Sequence, residues 1–213
     1  MPNDTIEWYN TAHEGFMLQA DPEFYKSVAD LVEGLYLDIS CGLGITLKFH
    51  KGVGCDFSRK SITFGRKFAQ KSLFVICDAQ YLPFRSEVFN TVSCLGSLEH
   101  YPNHELALSE AFRVLRKKGK LLLSVTNRCR WTSIFRLFSR GFRQPVEKPL
   151  NISETMKLLI DTGFNISKVF NPSQFDFRTY CSLPHFFGHF LNKIDKIMPT
   201  SSAIEPFYIS KKI

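Results

Sequence analysis

Leu37-Asp38-Ile39-Ser40-Cys41-Gly42-Leu43-Gly44 decides how this chain is read. An apolar run, Leu35 to Ile39, carries one acid in its middle and ends in a turn with two glycines one residue apart. A buried strand rarely tolerates a carboxylate without a partner. Small residues at Ser40, Gly42 and Gly44 let a ligand approach the backbone closely, because no side chain stands in the way. A small molecule is therefore expected at the end of this strand.

Outward from that stretch, strand and helix alternate. Asp21-Pro22 opens a helix that runs to about Val32, ahead of Gly34. Strands are predicted over 35–40, 53–56, 73–77, 91–95 and 120–125, and helices over 45–49, 58–70 (capped by Ser58) and 105–115. Asn151 with Glu154 three residues on makes a capping-box start for a helix that stops at Gly163, and the last strands fall over 164–170 and 207–210. Such alternation predicts one α/β domain over 1–213, a doubly wound, mostly parallel sheet with helices on both faces. Ligands of such sheets lie beyond the carboxyl ends of the strands, where strand order reverses. Residues 128–150 and 171–204 break the alternation, and eleven of the 21 Phe follow residue 130, so these segments are expected to form an aromatic-rich lid and substrate wall.

The bulk numbers are those of a soluble globular protein: 213 residues, 44% hydrophobic and 22% charged. A net charge of +7 favours anionic partners without naming nucleic acid. No apolar stretch is long enough to span a bilayer, and Met1-Pro2-Asn3-Asp4 lacks the basic and apolar regions of a signal peptide. The six Cys are scattered without a C-x-x-C pair, so a reduced, cytoplasmic protein without structural zinc is expected.

Each of the first three strands places an acid near the ligand edge: Asp38, Asp56 and Asp78. Taken singly, each reads equally well as a strand-end turn residue; three at one edge beside a glycine turn point to a site. Asp56 follows Asp38 by 18 residues, the place of an acid that hydrogen-bonds a ribose. The dinucleotide fingerprint wants a third glycine, however, and the position three after Gly44 is Leu47; there is also no G-K-S/T. The site is thus suited to an adenosine ligand without a phosphate chain, with Asp38 as counter-charge for a cationic group.

These residues resemble a known family, the class I S-adenosylmethionine-dependent methyltransferases. Leu37 to Gly44 resembles its first motif, and Val53-Gly54-Cys55-Asp56-Phe57-Ser58 its ribose-binding second strand. Asp78-Ala79-Gln80-Tyr81-Leu82-Pro83-Phe84 resembles the loop whose acid meets the adenine amino group. Phe89 to Val92 and Leu98-Glu99-His100-Tyr101-Pro102-Asn103 resemble the fourth strand and the helix start after it; Glu110 to Lys120 matches the helix and turn before strand five. The motifs run in order over a cofactor-binding core at 35–127, and the nearest subgroup is the one that holds quinone-biosynthesis and related small-molecule enzymes. The resemblance implies a seven-stranded sheet with an antiparallel last strand, S-adenosylmethionine as cofactor, and contacts from Asp38, Ser40, Cys41, Gly42, Gly44, Asp56, Phe57, Asp78, Ala79 and Leu95. Three departures stand out. Ser40 replaces a usual Gly, a mild change if φ is negative there; Asn90 replaces an acid; Lys118 replaces the first Gly of a Gly-Gly turn.

Methyl transfer needs alignment and exclusion of water more than it needs a base. His100 is the candidate base or positioning residue, and Glu99 reads as a hydrogen-bonding cap. Trp8, Tyr9 and His13 resemble a segment that folds over the cofactor, or else an ordinary surface helix. His185 and His189 have metal-binding spacing, but no third ligand is evident and packing of Phe186, Phe187 and Phe190 accounts for them, so no metal is expected. Arg128, Arg130, Arg136, Arg140 and Arg143 accompany Trp131, Ile134, Phe135 and Phe138 at helical spacing. They form a solvated lid helix, or a surface for anionic lipid or a phosphate-bearing substrate. The expected activity is methyl transfer to O, N or C of a small, hydrophobic or amphipathic acceptor, with nucleic acid not the expected partner. The alternatives are a non-catalytic scaffold of the same fold, or an RNA or protein methyltransferase. The Asn-Pro-Ser-Gln run at 171–174 follows the sixth strand rather than the fourth, and is discounted as a nucleic-acid methyltransferase motif.

Overall fold

A computed structural model describes Glu7 and residues 22–128, 146–171 and 206–213. Seven strands form one sheet: β1 (Tyr36–Ile39), β2 (Val53–Asp56), β3 (Leu73–Ile76), β4 (Phe89–Leu95), β5 (Leu115–Ser124), β6 (Phe164–Phe170) and β7 (Phe207–Lys212), in the order β3-β2-β1-β4-β5-β7-β6. The first five run parallel, and β7 is antiparallel to both its neighbours. Strand order reverses between β1 and β4, the switch point at which a ligand is expected.

Alternation along β1 builds two cores. Leu37 and Ile39 point to one face, beneath α4 (His104–Val114) and α5 (Ile152–Asp161), with Leu108, Ala111 and Leu159. Tyr36 points to the other, beneath α1 (Pro22–Ala29), α2 (Ile45–Phe49) and α3 (Arg59–Phe68), with Phe24, Val28, Leu47 and Ile62. Strands buried on both faces read as continuous apolar runs, which is why Leu121, Leu122 and Leu123 are all fully buried.

The predicted caps are present. Ser58 Oγ accepts from Ser61 N–H, and Asn151 and Glu154 make a reciprocal capping box. Element ends differ by a few residues. The first helix stops at Ala29 rather than Val32, and β5 begins at Leu115 rather than Lys120 because Phe89 pairs with Leu115 ahead of a bulge. Asn90 earns its place at the start of strand four: its Oδ1 accepts from Leu35 N–H, and its side chain lies where a Cβ on Gly34 would sit. Lys118 does hold a glycine-like conformation, with φ of 63°.

Phe74 on β3 fits against three glycines. A Cβ on Gly65, Gly44 or Gly54 would stand 2.6, 2.9 or 3.0 Å from its ring. Gly44 therefore serves packing as well as any ligand. Among the described residues no helix is long and apolar enough to cross a membrane, and Cys41, Cys55, Cys77 and Cys94 are free thiols.

Candidate active site

The carboxyl edges of β1, β2 and β4 bring most of the predicted residues together. Asp38 is 3% exposed and pairs in register with Ser93 on β4. Ser93 Oγ donates to Asp38 Oδ1 and is itself 2.6 Å from the Tyr36 hydroxyl, which lies two residues earlier on the same face. Burial pushes the Asp38 carboxyl up to about 7, and the nearby Asp56 charge adds to the rise.

Asp56 closes β2 and ties two turns together. Its Oδ2 accepts from Gly42 N–H at 3.0 Å, and its Oδ1 from Ser58 N–H at 2.8 Å. Burial raises its carboxyl to about 6, against the lowering effect of those two bonds. Cys41 N–H donates to Cys55 O, which fastens the glycine turn to β2, and burial pushes the Cys41 thiol well up.

Ser40 has φ of 52°, so the condition under which Ser for Gly would be a mild change, a negative φ, is not met. Compensation comes from its side chain: Ser40 Oγ lies 2.6 Å from the Tyr101 hydroxyl, which also approaches Cys94 Sγ at 3.5 Å. Tyr101 is 2% exposed. Glycine fills the left-handed positions 42 and 44, with φ of 52° and 72°.

Beyond β3, Asp78 Oδ1 accepts from the backbone and side chain of Gln80, whose Oε1 accepts from Asn103 N–H. The loop after β3 is thus joined to the start of α4. Ala79 is buried; Phe57 and Leu95 are half-buried at the same edge. After β4, Gly96 has positive φ and donates to Ser124, and a short 3-10 turn, Leu98–His100, follows.

His100 lies on that turn. Its Nδ1 is 2.9 Å from Val146 O. A carbonyl only accepts, so in the neutral ring the proton sits on Nδ1 and the lone pair on Nε2. Nε2 lies 4.0 Å from Glu99 Oε1. Residues 146–150 strap this turn from outside, with Lys148 N–H on Glu99 O and Arg128 N–H on Leu150 O. Ser93 lies outside the quoted motifs, and Gln80 and Tyr101, though within them, were assigned no contact from sequence. Trp8, Tyr9, His13, Arg130, Arg136, Arg140, Arg143, His185 and His189 lie outside the described residues, as do most of the two expected lid segments.

Residues 37–123 match the family model for a methyltransferase domain. Over those residues the chain is similar to methyltransferase domains. Among sequence relatives, an uncharacterised protein of Methanocaldococcus jannaschii is 33% identical over 94 residues, 44% of this chain and 41% of its own length. The tRNA (carboxymethyluridine(34)-5-O)-methyltransferase of Xenopus tropicalis is 32% identical over 49% of this chain and 17% of its own. The demethylmenaquinone methyltransferase of Streptomyces griseus is 31% identical over 38% and 35%. In each case the match spans less than half of the relative's length. In fold, a methyltransferase from Thermotoga maritima, titled a possible histamine N-methyltransferase, aligns over 99% of both chains with a TM-score of 0.74 and 16% identity. Magnesium protoporphyrin IX methyltransferase of Synechocystis, solved with bound SAH, aligns over 99% of both with a TM-score of 0.68 and 16% identity.

The chain has residues that fit such a cofactor. Asp38 and Asp56 are buried carboxylates that no cation among the described residues pairs with, and both are raised by that burial. A ligand with positive charge and ribose hydroxyls supplies what they lack. Among the described residues no group of three or more His, Cys, Asp and Glu is placed to hold a metal ion.

Proposed function

We propose that this chain transfers a methyl group from S-adenosylmethionine to O, N or C of a small, hydrophobic or amphipathic acceptor. The observation that carries it is the pair of uncompensated buried carboxylates, Asp38 and Asp56, on either side of a left-handed turn at the switch point. When bound, the cofactor supplies a methyl on a cationic sulfur with a neutral thioether as leaving group. Asp56 is assigned to the ribose, Asp78 with Ala79 to the adenine, and Ser40, Cys41, Gly42, Gly44, Phe57 and Leu95 to the walls. His100 faces the acceptor, with its tautomer set by Val146 O. Demethylmenaquinone methyltransferase among the relatives supports a small acceptor. Calorimetric titration with S-adenosylhomocysteine tests the cofactor assignment, and absence of binding at millimolar ligand refutes it. Methyl-tritiated cofactor added to small-molecule extracts tests the acceptor class; binding without any label transfer points to a non-catalytic scaffold.

One observation favours RNA as acceptor. Between residues 48 and 71 the only acid is the buried Asp56, whereas Lys48, Lys51, Arg59, Arg66, Lys67 and Lys71 are exposed along α2 and α3. Lys48 Nζ lies 4.4 Å over the Phe68 ring, and Phe49 beside it is 43% exposed. A basic stripe carrying aromatics suits a phosphate backbone, and tRNA methyltransferases stand among the relatives. RNA affinity that falls steeply with salt, and more gently after Lys→Gln changes along the stripe, supports this reading; salt-independent or absent binding rejects it.

A further inference from the structure

Glu99 is 1% exposed, and its two carboxylate oxygens are treated unequally. Oε1 accepts from Thr126 N–H at 3.1 Å, just past the end of β5, and lies 4.0 Å from His100 Nε2. Oε2 is fully buried and has no hydrogen-bond partner. A cap residue would have spent its carboxylate on the helix it caps; α4 is capped instead by Asn103, whose Oδ1 accepts from Leu106 N–H. Glu99 is therefore not the cap that its position suggests. An unpaired carboxylate oxygen in such a setting is destabilising, and the Thr126 bond engages only the other oxygen.

Its surroundings locate it. Glu99 belongs to the 3-10 turn that leaves the carboxyl edge of β4, beside the strand that carries Asp38, and its backbone O is held by Lys148 N–H of the strap. The titratable groups around it are His100, His104, Cys94 and Lys148. The Glu99 charge acts on His104 and Cys94 to raise both, whereas burial and Lys148 lower His104. His104 Nε2 is a second buried polar atom without a partner, at the first residue of α4. Two polar atoms without partners thus belong to residues of the turn after β4 and the start of α4, close enough that the Glu99 charge acts on His104.

We infer that Glu99 Oε2 receives the N–H or O–H of the methyl acceptor, so that the acceptor is an amine or a hydroxyl compound and not a carboxylate. The inference rests on the methyl-transfer reading above. In the transfer step the C–S bond breaks as the O–C or N–C bond forms, sulfur keeps the electron pair, and the proton displaced from the acceptor passes to Glu99 Oε2. A carboxylate acceptor has no proton to offer and meets like charge.

The test uses the full chain saturated with S-adenosylhomocysteine and four aromatic fragments of similar size, followed by ligand-observed NMR. Phenol and benzylamine present a donor, anisole has none, and benzoate is anionic. The donors are expected to bind at least about tenfold more tightly than anisole, with benzoate weakest, as a hydrogen bond to a charged group implies. Glu99→Gln keeps an acceptor for Thr126 N–H but turns a donor toward the ligand, so the preference should vanish while affinity for S-adenosylhomocysteine stays unchanged. Equal binding of phenol, benzylamine and anisole to the natural protein, or no binding of any, overturns the inference. So does a preference that survives Glu99→Gln. If that variant does not fold, the comparison of donors with anisole in the natural protein still decides. Failure of S-adenosylhomocysteine itself to bind removes the methyl-transfer reading instead, and is seen before any fragment is added.

Discussion

Asp38 makes cofactor affinity depend on pH, and the sign follows from its burial. In the free protein its carboxyl titrates at about 7, well above the ordinary 3.8, because desolvation outweighs the bonds from Ser93 and Tyr36. A cationic ligand beside it favours the charged form and returns it toward the ordinary range. Between the bound and free values, binding releases up to one proton and affinity rises up to tenfold per pH unit. From about pH 5.5 to about pH 7.5 the dissociation constant for S-adenosylmethionine should fall roughly ten- to twentyfold. Asp56, raised to about 6, contributes in the same direction at the lower end of the range. Asp38→Asn should weaken binding at about pH 7.5 and leave only the shallower dependence due to Asp56. Calorimetry in two buffers of different ionisation enthalpy measures the proton release directly. A wild-type affinity flat across this range, or an unchanged slope in Asp38→Asn, would falsify the assignment of Asp38 as counter-charge.

The same shift of Asp38 predicts the opposite trend for the stability of the free protein. A folded value raised above the unfolded one means that the folded chain holds a proton the unfolded chain has already lost. Stability is therefore intact below about pH 4, declines as pH rises toward about 7, and is flat above, with a total loss of at most about 4 kcal/mol. Asp38→Asn should remove the Asp38 share of that decline, leave the part due to Asp56 between about pH 4 and about pH 6, and be the more stable protein above neutrality, as urea unfolding at several pH values will show.

Four further substitutions, at three positions, probe the frame of the site. Ser40→Ala keeps the left-handed φ and loses the Tyr101 bond, so it should cost about 1–2 kcal/mol, whereas Ser40→Gly exchanges one for the other and should stay within about 1 kcal/mol of the natural protein; denaturant midpoints give the order. Gly54→Ala puts a Cβ 2.5 Å from Leu47 and 2.8 Å from Cys41 Sγ, so it should cost about 1–3 kcal/mol and weaken cofactor binding through the displaced turn, read by melting with and without S-adenosylhomocysteine. Lys212→Met takes away the ammonium that donates to Phe112 O and Leu115 O at the end of α4, and should lower stability by about 1–3 kcal/mol with cofactor affinity unaffected.

The sheet was legible because its central strands are apolar on both faces and its helices begin with recognisable caps. The run Leu121 to Leu123 in β5, and the Ser58 and Asn151 caps, depend on residues within a turn of one another. Where a boundary depended on a distant partner, local pattern failed. Arg116, Lys117 and Lys118 do not look like strand, yet β5 starts before them because Leu115 pairs with Phe89. The departures from the family pattern had the same origin: Asn90 replaces an acid because its amide answers Leu35 and overlies Gly34, a relation across 55 residues that spacing alone does not reveal.

The site was legible at its acids and silent about what holds them. Asp38, Asp56 and Asp78 follow strands and announce themselves as charges out of place, but their supports come from other strands. Ser93 reaches Asp38 through sheet register, Tyr101 reaches Ser40 across 61 residues, and Gln80 bridges Asp78 to Asn103. Gly44 illustrates the ambiguity most clearly. Read alone, a glycine in that turn says that something comes close to the backbone, and something does: the Phe74 ring at 2.9 Å from where its Cβ would be. Gly42 differs in what its neighbours do with it, since its N–H is the group that Asp56 accepts. In the opening turn, then, Gly44 admits the core, Gly42 anchors Asp56, and Ser40 holds a left-handed conformation with its hydroxyl answered by Tyr101. The proposed methyl transfer rests on that division, because a turn held from three directions fixes Asp38 and Asp56 at the edge where the cofactor is proposed to sit.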